Sequence, residues 1–211
     1  MSKQAKIITM FFVVLALGAG NVWAEIIEIN ITAEIAQLRD PYGLLKGQLI
    51  VGDIITGSYI YDSDTPDTNP SNTVGDYWHY SSPYGISLSV GGFVFQTNPD
   101  NNIHFLVEIL DDHTGQDTYL LRSYNNPPLS NGVHVEHVSW HLDDYSCNAV
   151  SSTGLPITPP VLEDWGQNYL RITFGYKGSS TIGARVTSAV PEPATLLLLA
   201  LGSLALSRRR R

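Results

Sequence analysis

The chain has 211 residues, a formal net charge of -8, 43% hydrophobic and only 15% charged residues, which leaves room for one ordinary domain with a core and short extensions. This acidity excludes a nucleic-acid binder, which needs basic surface to displace counterions from phosphate. The single cysteine, Cys147, excludes an internal disulfide framework and any cluster held by several cysteines.

Residues 1–24 read as a secretory signal helix. Lys3 and Lys6 precede the apolar run Ile7 to Leu17, and in Val22-Trp23-Ala24 the small Ala24, with a tolerable Val22 two before it, favours cleavage after Ala24. A retained anchor is the alternative, but the run is too short for a hydrocarbon core of about 30 Å. The exported body, residues 25–189, carries nineteen Asp and Glu against six Lys and Arg, a net charge of -13. Such a surface suits a solvated, matrix-borne or cation-rich setting and repels bare polyanions.

Strand periodicity dominates the body. Ile27, Ile29, Ile31 and Ala33 alternate with Glu28, Asn30, Thr32 and Glu34, the period of a half-buried strand. Gln48 to Tyr61 reads as one bent strand or two short ones, with Gly52 and Gly57 as bends or bulges. Tyr84 to Val90 and Phe93 to Thr97 flank Gly91-Gly92 and predict a hairpin, because glycine tolerates the positive φ of a two-residue turn. Ile103 to Leu110, Thr118 to Tyr124, Val133 to Leu142, Asn168 to Tyr176 and Thr181 to Thr187 supply further strands. The proline-rich Leu155 to Pro160 predicts an extended crossover, and Leu162 to Tyr169 a short helical turn. Nine or ten short strands of this kind predict an all-β fold, an antiparallel β-sandwich or jelly roll, with a barrel as the alternative.

Candidate chemistry is sparse. Asp62, Asp64 and Asp67, with Asp76 downstream, offer the oxygens calcium prefers, although their spacing departs from an EF-hand loop and a polar turn explains the same residues. His134, His137 and His141 are close in sequence, but the valines around them favour a strand. The apolar phase slips there, which predicts a bulge near Glu136 or His137. Asp111-Asp112 and Asp143-Asp144 are candidate acid pairs for glycoside cleavage. Acidic neighbours oppose thiolate formation at Cys147. The segment Tyr77-Trp78-His79-Tyr80 offers rings for sugar stacking or for covering a sheet edge. No nucleophile elbow, metalloprotease helix or phosphate-cradling glycine loop is present. The sequence therefore predicts a non-enzymatic protein with no cofactor. The alternatives are a calcium-dependent carbohydrate-binding or adhesion module and, without a motif, a hydrolase of matrix glycans.

The last segment, residues 190–211, has a fixed order of parts. Val190 leads into Pro191-Glu192-Pro193, then the apolar run Ala194 to Leu206, then Ser207 and Arg208, Arg209, Arg210 and Arg211. As a helix the apolar run rises about 20 Å, a short transmembrane helix whose arginines hold the C-terminus on the cytoplasmic side. This tail resembles the PEP-CTERM sorting signal of bacterial exported proteins, also described as an ice-binding protein C-terminal domain, a description of the tail that does not imply ice binding. The resemblance implies recognition by exosortase, a membrane-embedded cysteine transpeptidase-like enzyme. It further implies a transient stay in the inner membrane, removal of the tail, and delivery to the cell surface or the extracellular polysaccharide matrix. Pro191, Glu192 and Pro193 match the motif one for one, and Arg208 to Arg211 provide membrane retention. The body is also similar to one group of these proteins through Gly57 to Asp62, Ser63 to Asn72, Gly75 to Tyr77, Tyr84 to Gly92 and Ser151 to Pro160. That likeness bears on fold and location and implies no chemistry.

Overall fold

Apolar residues at every second position build the first strand. Ile27, Ile29, Ile31, Ala33 and Ile35 are buried along β1 (Ile26–Arg39) while their neighbours turn outward, as a strand with one face on a core requires. The computed structural model describes residues 26–100 and 102–192. The signal helix, the C-terminal transmembrane helix, Pro193 and Arg208 to Arg211 lie outside the described residues. The remaining strands are β2 (Ile54–Asp62), β3 (Val74–His79), β4 (Gly85–Val90), β5 (Phe93–Gln96), β6 (Phe105–His113), β7 (Gln116–Ser123), β8 (Val135–Asp144), β9 (Gln167–Phe174) and β10 (Ser180–Pro191).

The expected all-β, antiparallel architecture is present, but the ten strands form one continuous sheet, ordered β3-β6-β7-β8-β9-β10-β1-β2-β4-β5. Hydrogen bonding among the described residues therefore joins the strands into one curled sheet, not two separate ones. The join is made by β10 against β1, where the register runs from Ile29 opposite Pro191 to Arg39 opposite Thr181. The sheet must curl, because residues 80–84 link β3 at one edge to β4 near the other. Five residues reach at most about 3.3–3.6 Å each. Polar contacts tie the two ends together: the Asp62 N–H donates to His79 Nε2 at 3.1 Å, and Thr97 Oγ1 donates to Ser123 Oγ at 2.9 Å.

The curl encloses an aromatic core. Trp140 of β8 packs edge-on against Tyr59 of β2 (5.9 Å) and Tyr119 of β7 (6.0 Å), and Phe95 of β5 meets Phe174 of β9 (6.3 Å). The buried Tyr119 hydroxyl donates to the Tyr59 oxygen at 3.2 Å, so polar atoms in this core find partners, as burial demands. Loss of the Trp140 ring would cost about 3–5 kcal/mol by the usual cavity penalty.

Local chemistry explains where the strands depart from expectation. Gly91 (φ 56°) and Gly92 (φ 84°) form the predicted hairpin turn, with Val90 opposite Phe93. Gln48 to Asp53, expected as strand, is a turn: Gly52 has φ 95°, and Asp53 Oδ2 accepts the Ile50 N–H at 2.8 Å. Gly57 causes no bulge; the ladders to β1 and β4 run through it without a shift. The bulge expected near Glu136 is present, as a register shift between Val135 and His137 against β9. A single 3-10 turn, Leu162–Asp164, precedes β9, and residues 155–160 contain no strand.

Candidate ligand-binding face and sorting segment

The bulge in β8 decides which side chains meet. After it, Val138, Trp140 and Leu142 point into the core, and His137, Ser139, His141 and Asp143 fall on the outer face. Pairing across the sheet sets Arg122 of β7 opposite Ser139, and Ser139 opposite Arg171 of β9. On the other side Arg122 pairs with Leu106, and Leu106 with Trp78 of β3. One row therefore runs Trp78, Leu106, Arg122, Ser139, Arg171. Leu106 and Leu120 lie on this outer face yet are only 4% exposed, a floor beneath the longer side chains.

Arg122 organises the row. Its Nη1 donates to the Tyr124 hydroxyl at 3.1 Å, its Nη2 contacts His141 Nε2 at 3.1 Å, and its guanidinium carbon lies 5.7 Å from the Tyr124 ring centre. Because arginine can only donate, His141 Nε2 is the acceptor and the imidazole is neutral. Burial, then the Arg122 and Arg171 charges, push His137 below the ordinary histidine value. Burial and Arg122 do the same for His141, partly opposed by Asp143. Beyond Arg122, Tyr124 stacks on Trp78 (5.7 Å, 27°) and Trp78 on Tyr80 (6.1 Å, 7°). A depression of about 340 Å³ opens between the two arginines, with Ser139 at its base, and Asp143, Gln167 and Tyr169 on its walls. Tyr169 reaches over β10 because Gly183 has no side chain there; a Cβ would meet the Tyr169 hydroxyl at 2.5 Å.

The sequence-predicted residues fall elsewhere. Asp62 Oδ1 accepts the Asp64 N–H at 2.9 Å, and Asp62 Oδ2 accepts the Tyr84 hydroxyl at 3.2 Å. Asp67 Oδ1 accepts the N–H groups of Asn69 (2.8 Å) and Asp76 (2.9 Å). The bonds from Asp64 and Asn69 are turn-forming bonds of the kind Asp residues favour, and those from Tyr84 and Asp76 tie the loop to its neighbours. Among the described residues, the group whose ligand atoms lie within 4.8 Å of one another is Asp112, Asp117 and Cys147, which the spacing does not reveal. Asp117, fully buried, accepts the N–H groups of Asp112 (2.9 Å), Ala149 (2.9 Å) and Val150 (3.1 Å), and so clamps two loops. A hydrogen bond to Asp112 and desolvation push the Cys147 thiol up to about 11, in the direction expected from its acidic neighbours. His134 stands apart, 3.9 Å from Glu136. Asp143 and Asp144, adjacent on a strand, face opposite ways: Asp143 Oδ1 accepts the Thr118 hydroxyl, and Asp144 caps the turn at Ser146 and Asn148.

The sorting residues begin inside the sheet. Pro191 ends β10 opposite Ile29, and the Glu192 N–H donates to the Glu28 carbonyl at 3.1 Å. Among the described residues, no helix is long and apolar enough to cross a membrane. No curated protein and no solved structure matches the chain. Residues 189–211 match the family model of the PEP-CTERM protein-sorting motif. The C-terminal segment that leaves β10 is thus a PEP-CTERM sorting motif, the mark of exported, surface-directed proteins that exosortase recognises.

Proposed function

We propose that the chain is an exported, non-enzymatic component of the cell surface or exopolysaccharide matrix, sorted and processed by exosortase through its C-terminal motif. The observation that carries this reading is the sorting motif at residues 189–211. The fold is consistent with it. The start of β1 lies beside the end of β10, its antiparallel neighbour, so a signal peptide and a transient membrane helix would both leave the body at one end of these two central strands. The acidic body stays soluble once released. Asp143 and Asp144 diverge, whereas glycoside cleavage needs two carboxyls converging on one bond. Carbohydrate binding with calcium at Asp62, Asp64 and Asp67 is the second reading. The rings of Trp78, Tyr80 and Tyr124 support its carbohydrate half, and the turn bonds of Asp62 and Asp67 give those carboxylates a structural task without an ion.

Expression of the precursor in matched cells with and without an exosortase tests the main reading. With the enzyme, mass spectrometry should find a released product lacking Arg208 to Arg211. Without it, the full tail and membrane association should persist. Identical products in both cells would refute the proposal.

A further inference from the structure

We infer that the outer face of β7, β8 and β9 binds an acidic sugar chain: Arg122 and Arg171 grip the carboxylate of a uronate residue above Ser139, and a neighbouring sugar ring rests on Tyr124 and Trp78. This deepens the matrix reading by naming a ligand and the place that holds it.

Charge is the first argument. The body has nineteen acidic residues and six basic ones, and two of the six stand in one cross-strand row. Among the described residues, the ion pair within 4 Å is His134 with Glu136, so neither guanidinium has a carboxylate that close. Asp143, which shares the depression, is engaged by the Thr118 hydroxyl at 2.8 Å. Glu108, which feels the Arg122 charge from β6, is pushed up to about 7, chiefly by burial and by Asp76. Two arginines without an ion pair among the described residues form a positive island, and arginine forks match carboxylates in shape as well as charge.

Geometry is the second. Adjacent strands lie about 4.8 Å apart, so the backbones of Arg122 and Arg171 are two spacings apart with the small, buried Ser139 between them. A carboxylate seated there is within reach of both side chains. Arg122 is fixed on one side by Tyr124 and on the other by the neutral His141, which reduces the ordering cost of binding.

The third argument is what adjoins the island. The rings of Tyr124, Trp78 and Tyr80 continue from Arg122 along the same face, and Tyr80 and Tyr124 are 56% and 44% exposed. Aromatic faces bury the C–H faces of sugar rings while polar rims stay wet.

The test is calorimetry on the full chain in detergent, with hexameric oligogalacturonate, neutral maltohexaose and inorganic sulfate as probes. The uronate hexamer should bind, and maltohexaose should bind roughly tenfold or more weakly. Arg122→Gln and Arg171→Gln should each weaken uronate binding by about tenfold, the scale of one lost charge-assisted contact, and Trp78→Ala should weaken both sugars. Arg171 is exposed, so its variant keeps the test valid if Arg122→Gln fails to fold. No heat with the uronate hexamer, equal binding of maltohexaose, or full affinity in Arg171→Gln would overturn the proposal. Displacement by equimolar sulfate would reduce the site to a plain anion site and overturn its sugar specificity. None of these outcomes depends on exosortase, so the processing reading fails or survives separately.

Discussion

Glu108 and Asp76 face each other across β6 and β3, a like-charged pair that a sheet tolerates poorly. Asp76 Oδ2 is satisfied by Asn69 Nδ2 at 2.9 Å, but Asp76 Oδ1 is buried with no donor other than a protonated Glu108. Burial and Asp76 raise the Glu108 carboxyl to about 7. The sign of the consequence follows from proton counts. Between the unfolded value near 4.5 and about 7, the folded state holds more protons than the unfolded one, so this group's contribution is present in acid and is lost as pH rises through that window. Glu108→Gln offers a permanent N–H donor to Asp76. Thermal melts should show this variant more stable than wild type at pH 8 and near parity at pH 5; a difference that does not change with pH would contradict the assignment.

At the scale of elements, close approach rather than bending explains Gly57. A Cβ there would lie 1.9 Å from the Ser87 carbonyl oxygen and 2.9 Å from Leu88 Cα, so alanine would push β4 away from β2 and loosen the β4–β5 hairpin. Overpacking of this kind typically costs 1–3 kcal/mol, and chemical denaturation of Gly57→Ala should read a loss of about 2–3 kcal/mol. The same elements explain what was legible in the sequence. β1 and the Gly91-Gly92 hairpin announce themselves through period and turn chemistry, and the phase slip around Glu136 marks the β8 bulge correctly. β3 does not, because its inward positions are Gly75, Tyr77 and His79 while Trp78 turns outward, which hides any apolar alternation. Leu49-Ile50-Val51 misleads in the opposite sense: Ile50 and Val51 are 65% and 60% exposed on a turn closed by Asp53. Of the candidate face, the rings of Trp78 and Tyr80 were legible in the sequence, but the arginine row was not. Arg122, Ser139 and Arg171 come from three strands, and only the register places them in one row.

For the whole molecule, the decisive join is between the strands nearest the two chain ends. A single sheet forms because β10 pairs with β1, and its last rungs set Ser188 opposite Thr32, Ala189 opposite Ile31, Val190 opposite Asn30 and Pro191 opposite Ile29. Ile29 and Ile31 are 0% and 3% exposed, so these rungs cover core side chains as well as satisfying the ladder. Processing that ends the chain at or beyond Glu192 leaves the join whole, whereas a cut before Ser188 strips four rungs and opens the edge of β1. Partial exposure of two isoleucines and the lost ladder bonds should cost about 2 kcal/mol, or roughly 4–8 °C in melting temperature at this size. Chains beginning at Glu25 and ending at Glu192 or at Thr187, compared by circular dichroism, should show that gap. Equal melting temperatures would mean that the sorting segment contributes nothing to the sheet it leaves.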